Sequence, residues 1–243
     1  MRERWETRLL RRRGIDSEGD FAMNQGTPAF PRTMNEDLLK LPEKLFYRGT
    51  IPDWDATKIL GVIGTRQMTE YGKQVTQLFV RKFVEVGYVV ASGMAVGVDA
   101  EAHRCTVALG GITIGVLPCG PASIMPREHQ DLADQILSRD GLLLSEYQSS
   151  AEVQKWMFHR RNRVLAGLCD GILVIEAGAK SGTLITAGYA AEFGRPVWVV
   201  PSAITSPFVE GTKRLINLGA TMVTDPQEIV SELEQTTQNS IFV

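Results

Sequence analysis

The chain has 243 residues, of which 44% are hydrophobic and 22% charged, with a formal net charge of −2. That length suits one large α/β domain or two small ones and buries a core without staples, while the near-neutral balance excludes a uniformly basic surface. Any nucleic-acid site must then be local and concave.

In chain order, residues 1–40 carry Arg2, Arg4, Arg8 and the triplet Arg11 to Arg13, then scattered apolar residues without helical periodicity after Leu10. They predict an N-terminal arm that is a short helix or loosely ordered. Leu41 to Arg48 reads as an edge strand leading into a domain over 41–235, and residues 236–243 as a polar C-terminal tail. Within the domain short apolar strands alternate with amphipathic helices. The strands fall at 59–63, 88–91, 113–117, 142–145, 172–175, 197–200 and 221–223. The helices fall at 71–86, 99–109, 126–138, 160–168, 184–193, 212–218 and 226–234. This alternation predicts an α/β fold with a doubly wound, mostly parallel sheet flanked by helices. Right-handed crossovers put the strand-to-helix loops on one rim, where a ligand binds.

Several of those loops share a chemistry. They are Gly64-Thr65-Arg66, Ser92-Gly93 through Gly97 to Asp99, Pro118 to Gly120, Glu176 to Thr183, and Pro201-Ser202. Glycines admit a ligand close to the backbone, and hydroxyls with N–H groups solvate an anion. Between them, Val153 to Cys169 contains no acidic residue but holds Lys155, Trp156, Phe158, Arg160, Arg161 and Arg163. Cations beside flat apolar faces suit the phosphates and unstacked bases of a single strand. A solvated helix face and a core phenylalanine are the plainer alternatives. The loop Ala177 to Ser181 and the helix opening at Gly182 place Lys180, Ser181 and Thr183 at a helix N-terminus, which favours anions.

Other chemistries find little support. There is no GxGxxG and no GxxxxGK[ST]. Cys105, Cys119 and Cys169 form no CxxC and read as buried thiols in a reducing compartment. No metal or other cofactor is expected. Asp99 and His103 would share a helix face, though a helix-start Asp and a satisfied His are commoner. Glu146 and Glu176 end strands at the rim and are acid/base candidates, with no nucleophile–base pair in sight. No apolar run approaches a membrane span and the start lacks a signal-peptide core, so a cytoplasmic protein without membrane contact is expected.

From about Leu41 to Glu234 the chain resembles the DNA-processing protein A family (DprA/Smf). The marks are Gly64-Thr65-Arg66 with Tyr71-Gly72, Ser92 to His103, Leu144 to Tyr147, Phe158 to Arg163 with Ala166-Gly167-Leu168, Lys180 to Ala187, and Gly211-Thr212 with Leu215-Ile216. The resemblance implies an extended Rossmann-like domain without established catalytic turnover. It further implies binding of single-stranded DNA, a homodimer through the C-terminal part of the domain, and help in loading the RecA recombinase during natural transformation. By position it implies phosphate contacts at Arg66 and Lys155, a base on Phe158, and a pocket lined by Lys180, Ser181, Gly182 and Thr183. With Gly64, Thr65 and the Arg160, Arg161, Asn162, Arg163 segment, these make up the expected DNA-binding site.

Some positions depart from the family pattern. Ser149 to Gln154 replaces a proline- and glycine-rich lead, Lys213 stands where an Asn is common, and Ser202 where a glycine often follows. The helical N-terminal and winged-helix C-terminal domains of many relatives are expected to be absent. The alternative is a nucleotide-binding sensor or a phosphoribohydrolase-like enzyme of the related Rossmann variant. Those proteins use a Pro-Gly-Gly-x-Gly-Thr loop, which reads Ala177-Gly178-Ala179-Lys180-Ser181-Gly182-Thr183 here.

Overall fold

A computed structural model of the chain describes residues 20–34 and 41–241. Its centre is a nine-stranded sheet: β1 (Phe21–Asn24), β2 (Lys44–Gly49), β3 (Ile59–Ile63), β4 (Val89–Ser92), β5 (Thr113–Leu117), β6 (Leu142–Ser145), β7 (Gly171–Val174), β8 (Val197–Val199) and β9 (Thr221–Met222). The spatial order is β1-β2-β6-β5-β4-β3-β7-β8-β9. From β6 to β9 neighbours are parallel, and β1 and β2 add an antiparallel edge. The mostly parallel, doubly wound sheet expected from the alternating pattern is the one observed.

The helices are α1 (Glu70–Glu85), α2 (Val98–Ala108), α3 (Gln130–Ser138), α4 (Lys155–Leu168), α5 (Gly182–Glu192), α6 (Val209–Asn217) and α7 (Pro226–Ile241). Local chemistry sets their limits. Thr69 caps α1 by accepting from the Gly72 N–H at 3.0 Å, and Gly87 at φ +79° lets the chain turn after it. Phe79, Val80 and Phe83 then fall on one stripe of α1 and are buried.

Alternation along β3 divides the core. Ile59 and Ile63 face a cluster with Val164, Leu165 and Leu168 of α4, whereas Leu60 and Val62 face α1, α2 and α7. A third cluster forms beneath α3 around Leu132, Ala133 and Ile136.

The N-terminal region differs from expectation. Phe21–Asn24 is a strand paired with β2, so β2 is not the sheet edge. Phe30 and Met34 are sealed in the α4-side cluster, and the Trp54 indole N–H donates to the Ala29 carbonyl at 2.9 Å. Residues 20–34 are therefore built into the sheet and its core rather than forming a loose arm. The short arginine-rich helix expected earlier in the arm lies outside the described residues. At the other end, α7 runs to Ile241, through residues expected as tail.

Among the described residues no helix is long and apolar enough to cross a membrane. No group of three or more His, Cys, Asp or Glu side chains is placed to hold a metal ion among those residues. Cys119 and Cys169 are buried thiols as expected, but Cys105 is only half-buried.

Candidate functional site

Strand order reverses at β3: β4, β5 and β6 follow on one side and β7, β8 and β9 on the other. The loops leaving β3 and β7 therefore diverge, opening the crevice that doubly wound sheets use for ligands. A cavity of about 490 Å³ lies there, within the usual range for ligand sites. Gly64, Thr65, Arg66 and Gln67 line it from the β3 loop, and Ser181, Gly182, Thr183 and Thr186 from α5. Phe158, His159, Arg161, Asn162 and Leu165 come from α4, and Ala95 and Asp99 from the β4 side.

The β3 loop is pinned by backbone contacts. The Thr65 N–H donates to the Glu176 carbonyl at 2.7 Å, and the Val98 N–H donates to the Thr65 carbonyl at 3.2 Å. Gly97, at φ +87°, lies so close to Thr65 and Arg66 that no side chain would fit. A rigid loop thus holds an exposed Arg66 at the cavity.

The α5 start is tied to the same loop, because the Thr183 hydroxyl donates to the Gly64 carbonyl at 3.1 Å. Ser181 is the N-cap residue but makes no side-chain cap bond, and its buried hydroxyl has no partner. The first N–H groups of a helix lack intrahelical acceptors, so this end offers donors and a positive dipole to the cavity.

The cations of α4 part ways. Arg161 is buried, and its guanidinium donates to the carbonyls of Gly93 and of Val116 (2.9 Å) and to Asn162 Oδ1 (3.0 Å). Asp99 balances its charge, while the Asp99 carboxylate also accepts from the Gly93 N–H at 3.2 Å. Burial pushes the Asp99 carboxyl above the ordinary range, opposed by the Arg161 charge. Arg163 is spent on Glu146, and Arg160 lies 3.8 Å from the same carboxylate with its guanidinium over the Trp156 ring. Of the residues expected at the site, the fold gathers Gly64, Thr65, Arg66, Phe158, Arg161, Asn162, Ser181, Gly182 and Thr183 around one cavity. Lys155, Arg160, Arg163 and Lys180 do not line it; Lys155, Arg160 and Lys180 are exposed.

The acid/base candidates are engaged elsewhere. Glu176 is buried and accepts from the Thr69 N–H (3.0 Å) and hydroxyl (2.6 Å), fixing the start of α1. Glu146 is held by Arg163 and Arg160. His103 does not pair with Asp99; its Nδ1 meets the Thr113 hydroxyl at 2.7 Å. Burial, with the charges of His129 and Arg161, lowers the His103 pKa to about 3. The unfolded chain then binds a proton between pH 6.5 and 3 that the folded chain does not, so stability falls as pH drops through that window. Between pH 6.5 and 5 the expected loss from this group is about 2 kcal/mol. His103→Asn should flatten that part of a urea-denaturation pH profile; an unchanged profile refutes the assignment.

Sequence reasoning missed Gln67, His159, Leu165 and Thr186 as lining residues. Thr186 lies one helical turn beyond Thr183, and Leu165 one beyond Arg161 and Asn162, so helical spacing carried a signal for both.

The family model for DNA recombination-mediator protein A matches residues 22–234. The chain belongs to that family. Its match begins in β1, in agreement with the folding of that segment into the sheet. Among curated relatives, the DNA processing protein DprA of Bacillus subtilis is 38% identical over 194 residues, covering 80% of this chain and 65% of the relative. Other relatives of the family are matched over only about half their length. The solved structure of DNA processing protein A from Streptococcus pneumoniae superposes with a TM-score of 0.80 at 30% identity, covering 96% of this chain and 78% of that one. That of DNA processing protein A from Helicobacter pylori, described for its single-stranded DNA binding mode, gives 0.76 at 29% identity, covering 88% and 96%.

Proposed function

We propose that this member of the recombination-mediator family binds single-stranded DNA in the cavity at the β3–β7 reversal. The observation that carries this reading is the meeting of an exposed Arg66 and a half-buried Phe158 at one cavity. Phe158 stacks on a base, Arg66 and the open start of α5 hold phosphates, and Lys155, Arg160 and Lys180 attract the strand from outside. Arg161 and Arg163 leave the list of phosphate contacts, because their guanidiniums are consumed inside the fold. Membership in the family and the described binding mode of the Helicobacter protein support the reading.

The test is fluorescence anisotropy of a labelled oligothymidine and of the corresponding duplex across a salt series. The single strand is expected to bind more tightly, because a paired base cannot reach Phe158. If Arg66, Lys155, Arg160 and Lys180 each neutralise a phosphate, log affinity falls with log salt at a slope of about −3, from ~0.7 per contact. Equal affinity for the two forms contradicts the reading.

Family resemblance also supports a homodimer through the C-terminal part of the domain and assistance to a RecA-type recombinase. The exposed Leu218 and Met222 give the first a surface, beside a groove of about 300 Å³ lined by Leu184, Ala187 and Leu215. Leu218→Glu is expected to convert a dimer to a monomer in sedimentation velocity, and a chain that is monomeric from the start refutes the pairing. Recombinase assistance is checked by RecA filament growth on single strands with and without the chain; no acceleration refutes it.

A further inference from the structure

A second cavity of about 190 Å³ adjoins the first. The two share Arg66, Ala95, Phe158 and Arg161, so these residues form the wall between them. The rest of the smaller cavity is largely apolar, built from Gly93, Val96, Pro118, Met125 and Pro126. No carboxylate or side-chain amide lines it; its polar side chains are Arg66 and Arg161, and the Arg161 guanidinium is already bonded to the Gly93 and Val116 carbonyls. Apolar walls suit the face of a heterocycle and offer nothing to a second phosphate. A flexible thioether such as that of Met125 adapts to rings of different size.

In a single strand, neighbouring bases are joined through one phosphodiester. Here two adjoining cavities have one aromatic ring and one exposed guanidinium in common, the arrangement that base, phosphate and base require. We propose that the smaller cavity takes the next base of the same strand, with the bridging phosphate on Arg66, so that the smallest ligand filling the site is a dinucleotide. This rests on the single-strand reading and adds to it a fixed two-nucleotide register. It also makes recognition indifferent to sequence, because stacking tolerates every base.

The experiment uses the full chain and competition against a labelled oligothymidine. The competitors are the 5′-phosphorylated thymidine dinucleotide and two analogues lacking either its first or its second base. All three carry the same phosphates and differ only in the bases. The intact dinucleotide is expected to compete about tenfold better than either analogue, in line with one stacked base. Val96→Trp fills the smaller cavity and lies outside the lining of the larger one. It should abolish the advantage over the analogue that lacks the second base, leave that analogue's affinity unchanged, and keep the thermal transition of the wild type. If either analogue competes as well as the dinucleotide on the wild type, the two cavities do not hold two bases together and the proposal falls, whatever the variant does. An undiminished advantage in a folded Val96→Trp protein also overturns it. Oligothymidine binding without any dinucleotide advantage sinks this proposal alone, whereas no binding of the oligothymidine sinks the single-strand reading with it.

Discussion

Arg161→Leu is expected to destabilise the fold by about 3–5 kcal/mol, because two buried carbonyls each lose a donor at about 1–3 kcal/mol apiece and the nearby Asp99 loses an opposing charge. The substitution strips the Gly93 and Val116 carbonyls of a donor and leaves the Asp99 carboxylate buried without its counter-charge. The loss should depend on pH in a definite direction. A carboxyl whose folded pKa lies above its unfolded one binds more protons when folded, so its contribution to stability rises as pH falls through that interval. Without Arg161 the Asp99 pKa climbs further, because the arginine charge is what holds it down. The variant's deficit is therefore largest at neutral pH and shrinks on acidification. Urea denaturation of both proteins at pH 7 and pH 5 measures it. A deficit under about 1 kcal/mol, the size of an exposed pair, would mean that the guanidinium is free for DNA after all.

Phe30→Ala is expected to cost a similar amount, about 3–5 kcal/mol, as the cavity left by a buried phenylalanine. Phe30 is 2% exposed and packs in the cluster that contains Val164, Leu165 and Leu168 of α4. Hydrogen bonds tie the same segment down: the Thr33 hydroxyl donates to the Leu168 carbonyl at 3.0 Å, and Arg195 donates to the Thr33 carbonyl at 2.9 Å. A chain with a loose arm would tolerate the change within about 0.5 kcal/mol, as exposed positions do. Thermal or urea unfolding separates the two outcomes.

The interior strands were legible in the sequence because both their faces are buried. Ile59–Ile63, Thr113–Leu117 and Leu142–Ser145 stand out as short apolar runs bounded by turn residues. Phe21–Asn24 did not, since its four residues show no clear alternation and its partner β2 begins only at Lys44. The start of α4 was placed at Arg160 instead of Lys155. In its first turn only Met157 is buried, so the apolar stripe is thin there.

At the site, glycine and hydroxyl loops after successive strands marked the rim, and the order of strands then brought two of them together. What the sequence left open was the fate of each arginine in a run of near-identical ones. Arg161 lies four residues from both Met157 and Leu165, on the buried stripe, and that phase marks it as inward-facing. Nothing local shows that Arg163 meets Glu146, because that pair joins two elements only in the folded chain. Glu176 looked like a rim acid for the same reason; its closure by Thr69 is a contact across 107 residues.

The most direct test of the account is the affinity of a labelled oligothymidine for the wild type, Phe158→Ala and Arg66→Ala, with melting curves to show that all three are folded. The cavity at the β3–β7 reversal predicts that wild type binds and that Phe158→Ala loses about 1–3 kcal/mol, the worth of one stacked base. Arg66→Ala should weaken binding and make the salt slope shallower by about 0.7. Two folded variants that bind as tightly as the wild type would contradict the account and move the strand to another face of the molecule.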